Sequence, residues 1–328
     1  MFPCPSRLWH LTCTTLLLLV PSTSAAWPNT PFRTSGRWIL DATGANVNYV
    51  GVNWPAHGEV MIPEGLQYQF IPAIVNHMKS LGMKAVRLTY AIEMVDQIYA
   101  NNEADFTIGV ALFGALGGTS GTKLLDDIVR NNPGFSSTTT RLQVFDAVVA
   151  ECVRQEIFVQ LDNHVSKAGW CCHPVEGNSW WGDTLFSTKN WIRGLTNMAE
   201  HASPPLTPST EVFNPASFND YADKLVLELH TYDPAQECAA FEKKLFNLGF
   251  RTLDSTSAKN TLPLVMTEFG FLQVNETYKD IYGTCLSNYL PAQRVGWMMW
   301  VVAGSYYVRE LTHDYDETWG LLNHDWSG

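Results

Sequence analysis

The 328-residue chain has no apolar run of the roughly 18 residues that a membrane-spanning helix needs. It is also short of positive charge. Lys and Arg number 21 against 32 Asp and Glu, and the resulting net charge of −11 argues against nucleic acid or an anionic membrane as the main partner, since either would repel the chain. No glycine-rich phosphate loop is present, so no nucleotide cofactor is implied, and the absence of HxH and HExxH spacings removes the commonest zinc signatures. Cysteine is scarce, with seven in all.

What is there begins with a leader. Arg7, the apolar stretch LTCTTLLLLV (11–20) and the small-residue segment PSTSAA (21–26) follow the layout of a secretory signal peptide, with cleavage expected after Ala26. Residues 1–26 are thus the expected signal and 27–328 the exported, extracellular protein. Losing Cys4 and Cys13 with the leader leaves Cys152, Cys171, Cys172, Cys238 and Cys285, an odd set in which one thiol lacks a partner. Cys171 and Cys172 are adjacent and not expected to pair with each other; Cys238 and Cys285 are the disulfide candidates. Asn275-Glu276-Thr277 is a glycosylation sequon.

About 300 residues with a 46% hydrophobic composition suit a single α/β barrel. Six short apolar runs read as strands: 48–54, 85–90, 157–164, 224–232, 262–270 and 295–304. Their near-continuous apolarity fits a parallel sheet covered on both faces. Segments 71–82 and 140–155 have helical spacing, as does 190–201. The order is that of a (β/α)8 TIM barrel, but two strands are missing. The gap falls at 202–220, ASPPLTPSTEVFNPASFND, which is too short for two βα units and reads as an irregular loop.

Polar residues gather where these strands stop, as they do at the active face of such barrels. Strand alternation places Glu268 inward together with Met266 and Leu264, turns Val265 and Thr267 toward the helices, and groups Asp162 with His164 and Glu228 with His230 and Tyr232. Glu228 lies deeper than His230 and reads as a buried, paired structural carboxylate. Trp54, Trp170, Trp180 and Trp181 fall in loops that would line a substrate groove.

This constellation resembles glycoside hydrolase family 5, the cellulase family, over most of residues 36–326. Arg87, His164, the His230-x-Tyr232 pair, Glu268 and Trp300 stand where that family ends its second, third, sixth, seventh and eighth strands. GVNWPAHGE, LDNHVSKAGWCC, WWGD and AGSYY with DYDETWGLL are similar to the branch found in fungi, oomycetes and plants. The resemblance implies a retaining β-glycosidase, of the endo-β-1,4-glucanase kind, with a polysaccharide or oligosaccharide substrate. It also implies Glu268 as the nucleophile, Arg87, His164, His230, Tyr232 and Trp300 as substrate-site residues, and no cofactor. The family's acid/base Glu sits in an Asn-Glu pair at the end of the fourth strand, and this sequence has no such element; after the third strand its only Asn-Glu pair is Asn275-Glu276, beyond the seventh strand. Two other readings compete. One is a carbohydrate-binding descendant without catalysis, and the other a metal-dependent barrel hydrolase drawing on His57, Asp162, His164, His173 or His230.

Overall fold

The computed structural model describes residues 29–171, 177–178, 182–201, 221–235 and 237–328. The expected signal peptide, the loop 202–220, Cys172, His173, Trp180 and Trp181 lie outside the described residues.

All six strand runs form strands, and together they build one parallel sheet. In chain order an N-terminal hairpin, β1 (Arg33–Ser35) and β2 (Trp38–Leu40), precedes β3 (Val50–Trp54), β4 (Ala85–Ala91), β5 (Phe158–Val165), β6 (Leu227–His230), β7 (Leu264–Glu268) and β8 (Gly296–Met299). A second hairpin, β9 (Ser305–Arg309) and β10 (Thr312–Asp316), follows. Hydrogen bonding gives the sheet order β5-β4-β3-β8-β7-β6, so the first and last strands of the series meet as in a barrel while β5 and β6 are the edges among the described residues. Among the described residues the fold is a TIM-barrel-like half-barrel, with its seam between β5 and β6.

Eight helices among the described residues cover the sheet. α1 (Ile71–Ser80) joins β3 to β4; α2 (Ile92–Ala100), α3 (Ile108–Leu116), α4 (Gly118–Asn131) and α5 (Arg141–Arg154) lie between β4 and β5; α6 (Thr188–His201) follows β5. α7 (Cys238–Leu248) and α8 (Ile281–Gln293) flank β7. α1 buries Ile71, Ile74, Val75 and Met78, one stripe at helical spacing. α5 starts one residue inside its expected segment because Thr140 is the N-cap, its hydroxyl taking the Gln143 N–H while the Gln143 side chain returns to the Thr140 N–H.

α2, α3 and α4 lie outside the segments expected to be helical, and α3 and α4 pack tightly together. α3 is apolar almost all round, and Gly121 in α4 sits against it so closely that an added Cβ would lie 2.7 Å from the Leu112 carbonyl oxygen. Close helix pairing there depends on a small residue at Gly121.

β7 corrects the expected alternation. Leu264 and Met266 pack outward against Phe241 and Leu245 of α7 and Cys285, Leu286, Tyr289 and Leu290 of α8. Val265 joins Ile39 and Val47, and with Thr267 it lines a cavity of about 600 Å³ shared with Tyr49, Gln160 and Glu228. Met266 is opposite Leu229 and Glu268 opposite His230, so Thr267 is an extra residue on β7. This bulge turns Glu268 inward directly after inward-facing Thr267, and simple period-two counting fails there.

The expected disulfide forms. Cys238 at the start of α7 is bonded to Cys285 in α8, clamping two helices across a sequence separation of 47. Cys171 is disulfide-bonded as well, and Cys152 is a free, buried thiol that burial pushes up to about 12.

Candidate active site

Five strands converge on one guanidinium. Arg87, on β4 and 2% exposed, directs Nη1 to Glu268 Oε1 and, at 3.0 Å, to Asn53 Oδ1. Its Nη2 lies 2.9 Å from both Asp162 Oδ1 on β5 and Glu228 Oε1 on β6. Asn53, at the end of β3, is itself fixed by donating to the carbonyls of Thr267 (3.0 Å) and Met299 (3.1 Å), which ties β3 to β7 and β8. Sequence reasoning quoted Asn53 inside a motif without assigning it a task; its task is to orient the arginine.

Glu268 is 6% exposed and engaged at both oxygens. Oε1 meets Arg87, with His164 Nδ1 at 3.7 Å, and Oε2 accepts the Tyr232 hydroxyl at 2.9 Å, with His230 Nδ1 at 3.5 Å. Burial raises the cost of its charge, but Arg87, followed by His230 and His164, outweighs that cost and holds the carboxyl below its ordinary value. Glu268 is therefore an ionised carboxylate in a buried site.

The neighbouring side chains pair among themselves. His164 Nδ1 is 2.8 Å from Asp162 Oδ2, and His230 Nε2 is 2.6 Å from Glu228 Oε1. Burial disfavours the His230 cation, yet the Glu228 hydrogen bond and Glu268 raise its pKa above the usual value. Burial also opposes ionisation of Glu228, and Arg87 with His230 overcomes it, keeping that carboxyl well below the usual range. Glu228 is paired as expected, though its side chain is 39% exposed because β6 borders the seam. His57 is buried against Thr89 Oγ1 at 2.7 Å, and burial, then His164 and Arg87, keeps it neutral. Nδ1 of His57 and of His164, both Asp162 oxygens and Nε2 of His230 are engaged with other side chains. Among the described residues, no three His, Cys, Asp or Glu are grouped to hold an ion.

Glu268 opens into a cavity of about 390 Å³, walled by His164, Trp170, Tyr232, Trp300 and Trp319, with Arg309 and Glu317 at its side. Trp300 is only 7% exposed, because its indole stacks on His164 at a 14° interplanar angle with ring centres 5.5 Å apart. Trp170 stands edge-on to Trp300 and carries the Arg309 guanidinium 3.4 Å from its ring centre. Arg309 is paired in turn with Glu317 at 3.0 Å. Trp319, absent from the expected set, packs on Tyr232 and supplies another aromatic wall. Trp54 corrects an expectation in the other direction: it is fully buried, its ring tilted against Trp326 and its indole N–H on the Glu64 carbonyl, and it belongs to the core.

A parallel half-barrel with a carboxylate, an arginine and two histidines at its strand ends defines a barrel of the cellulase fold. Solved structures agree. The catalytic domain of the major endoglucanase from Xanthomonas campestris pv. campestris superposes with a TM-score of 0.60 over 91% of this chain and 96% of that one, at 16% identity. An endocellulase from Pyrococcus horikoshii, crystallised with cellotetraose, gives 0.58 over 91% and 95%, at 15% identity. No family model matches the chain. A glycosyl hydrolase 5 family protein of Chamaecyparis obtusa is 30% identical over 390 aligned positions, covering 98% of this chain and 67% of that protein. The chain belongs to glycoside hydrolase family 5. An alignment of 390 positions exceeds the 328 residues here, so the relative carries at least 62 residues (390 against 328) with no counterpart in this chain.

Proposed function

We propose that the protein is an exported glycoside hydrolase of the retaining kind whose groove binds β-1,4-linked glucan and whose nucleophile is Glu268. The observation that carries this reading is the double anchoring of Glu268, by Arg87 on one oxygen and Tyr232 on the other, at the floor of an aromatic-walled groove. An ionised carboxylate held by fixed donors attacks an anomeric carbon without first shedding water. Flat aromatic walls suit the C–H faces of pyranose rings, and the cellotetraose complex of the Pyrococcus enzyme supports a glucan over other ligands. The leader pattern and the Cys238–Cys285 bond support export into an oxidising compartment.

Retention requires a second carboxyl to protonate the leaving oxygen and later to activate water. Among the described residues, the carboxylates nearest this groove are already paired: Asp162 and Glu228 with Arg87, and Glu317 with Arg309. We therefore assign this chain substrate binding and a competent nucleophile, with cleavage of unactivated glucan slower by about 100- to 10,000-fold than a complete barrel would give. This leaves a glucan-binding role as the second reading.

The test is a 2-fluoro cellobioside carrying a dinitrophenolate leaving group, which needs no proton donor. Peptide mapping should find the label on Glu268. Label on another carboxylate would remove the assignment.

A further inference from the structure

The loop after β7 carries the one sequon of the chain, and its folded geometry is that of a presented acceptor. Asn275 sits at a turn with φ 53°, its side chain exposed. The sequon hydroxyl, Thr277 Oγ1, donates back to the carbonyls of Leu272 (2.7 Å) and Val274, so the turn closes beneath the asparagine and pushes it outward. Around it Leu272, Val274, Tyr278 and Ile281 are between 42 and 57% exposed among the described residues, a cluster of large apolar side chains. The loop is also pinned to the groove, since the Gln273 N–H donates to the carbonyl of Thr318, which lines the cavity beside Trp319.

We propose that Asn275 is an N-glycosylation site and that its glycan covers this apolar cluster at the groove's rim. The modification transfers an oligosaccharide from a lipid-linked pyrophosphate donor. A bond forms between Asn275 Nδ2 and the anomeric carbon, the carbon–oxygen bond to the pyrophosphate breaks, and the amide proton leaves with the lipid pyrophosphate. The proposal rests on export, so the experiment separates the two. The full chain is expressed in a eukaryotic secretory host behind its own leader and, in parallel, behind a proven one. The secreted protein should carry an oligosaccharide mass that peptide N-glycosidase removes, leaving Asp at 275. The mass should be absent in Asn275→Gln and Thr277→Val and present in Thr277→Ser. Failure of the natural leader alone defeats export and leaves the site standing. Secreted chain with unmodified Asn275 behind the proven leader overturns the site.

A separate observation concerns a single oxygen. Glu228 Oε1 contacts Arg87 Nη2 at 2.9 Å and His230 Nε2 at 2.6 Å, and these two groups face opposite oxygens of Glu268. We infer that Glu228 is a positioning residue for Glu268, acting through the His230 ring and the Arg87 guanidinium. By accepting from Nε2 it fixes the imidazole plane and leaves Nδ1 aimed at Glu268 Oε2. The groups facing His230 are Arg87 from β4, Glu268 from β7 and Glu228 on its own strand, with Tyr232 two residues on and the Asp162–His164 pair behind Arg87. Two carboxylates flank the ring against one guanidinium, which favours the doubly protonated form.

This inference rests on Glu268 as nucleophile, and the readouts distinguish them. Labelling of wild type at Glu268 tests the nucleophile. The pH profile of that labelling tests Glu228: in Glu228→Gln the alkaline limb should move to lower pH, with labelling at the alkaline end about tenfold slower, as the loss of one charge-assisted hydrogen bond implies. Histidine NMR on unmutated protein guards against a variant that fails to fold. His230 should titrate above 6.5, and titration at or below that value, or an unchanged profile in a folded Glu228→Gln, overturns the role.

Discussion

The Tyr232 hydroxyl donates to Glu268 Oε2 at 2.9 Å from a position two residues beyond the His230 side chain, so both residues of the His-x-Tyr pair address the same carboxylate. Tyr232→Phe removes one donor to the charged form and keeps the ring that packs on Trp319. Glu268 then becomes easier to protonate, and the acid limb of its labelling by an activated fluoro-glycoside should move to higher pH while the midpoint of unfolding changes little. An unchanged acid limb would show that Arg87 and the two histidines set the ionisation of Glu268 without Tyr232.

Arg87 is the charge on which the cluster depends. Asp162 and Glu268 have side chains only 11% and 8% exposed, and Arg87→Met would take the guanidinium from both, leaving Asp162 its His164 contact and Glu268 the His230 ring at 3.5 Å. Breaking a buried pair in this way costs about 3–5 kcal/mol, whereas the more exposed Glu228 adds less. Urea unfolding of the variant should show the extrapolated stability lowered by that amount, as a lower midpoint with little change in slope. A loss under about 1 kcal/mol would mean that water already neutralises the cluster through the seam.

The same charges set the stability profile. Glu268 has a depressed pKa, so its contribution is present above the ordinary carboxylate value of 4.5 and is lost as pH falls through its folded value. His230 has a raised one, so its contribution is complete below 6.5 and is lost as pH rises through its folded value. Thermal unfolding across pH should fall off on both sides of the interval between 4.5 and 6.5. In His230→Asn the decline above 6.5 should flatten.

How much of this was legible beforehand depends on what each element needs. Six strands were readable because a parallel strand covered on both faces must be apolar throughout, and the Cys238–Cys285 bond fell to the expected pair. The inward residues of β7 were not, because one bulge at Thr267 reverses the count and leaves no local mark in the sequence. Asn53 and Trp319 lay within recognised motifs, but their tasks are defined only by partners on distant strands, Thr267 and Met299 for one and Tyr232 for the other. Trp54 misled because an aromatic at a strand end reads alike whether it faces a groove or, as here, Trp326.

The two described thiol states should separate chemically. Cys152 is buried with its pKa pushed up to about 12, so at pH 8 only about one thiol in ten thousand is ionised, and native protein should resist alkylation for as long as it stays folded. Reduction of Cys238–Cys285 frees a loop of 47 residues and should cost up to about 4 kcal/mol in the chain-entropy picture. The Cys238→Ser, Cys285→Ser pair should therefore unfold at a clearly lower temperature, and equal stability would mean that α7 and α8 are held by Phe241, Leu245 and Leu286 alone.

The final prediction follows from the pairing of Asp162, Glu228 and Glu317, three described carboxylates beside Glu268 and its groove. Attack by Glu268 on an unactivated glucan would expel an alkoxide, a step that a paired Asp162, Glu228 or Glu317 does not assist. A dinitrophenyl cellobioside expels a stable phenolate and needs no such help, so the first step proceeds and the glycosyl-enzyme accumulates. Water then attacks slowly for want of a base. Azide, a nucleophile with no proton to lose, should accelerate the second step and yield a glycosyl azide of retained configuration. We expect a burst of one dinitrophenolate per chain followed by a slow phase that azide speeds, and only trace release of sugar from β-glucan. Ordinary glucan turnover without azide would mean that one of the three carboxylates, Glu228 first among them, gives up its partner and supplies the proton.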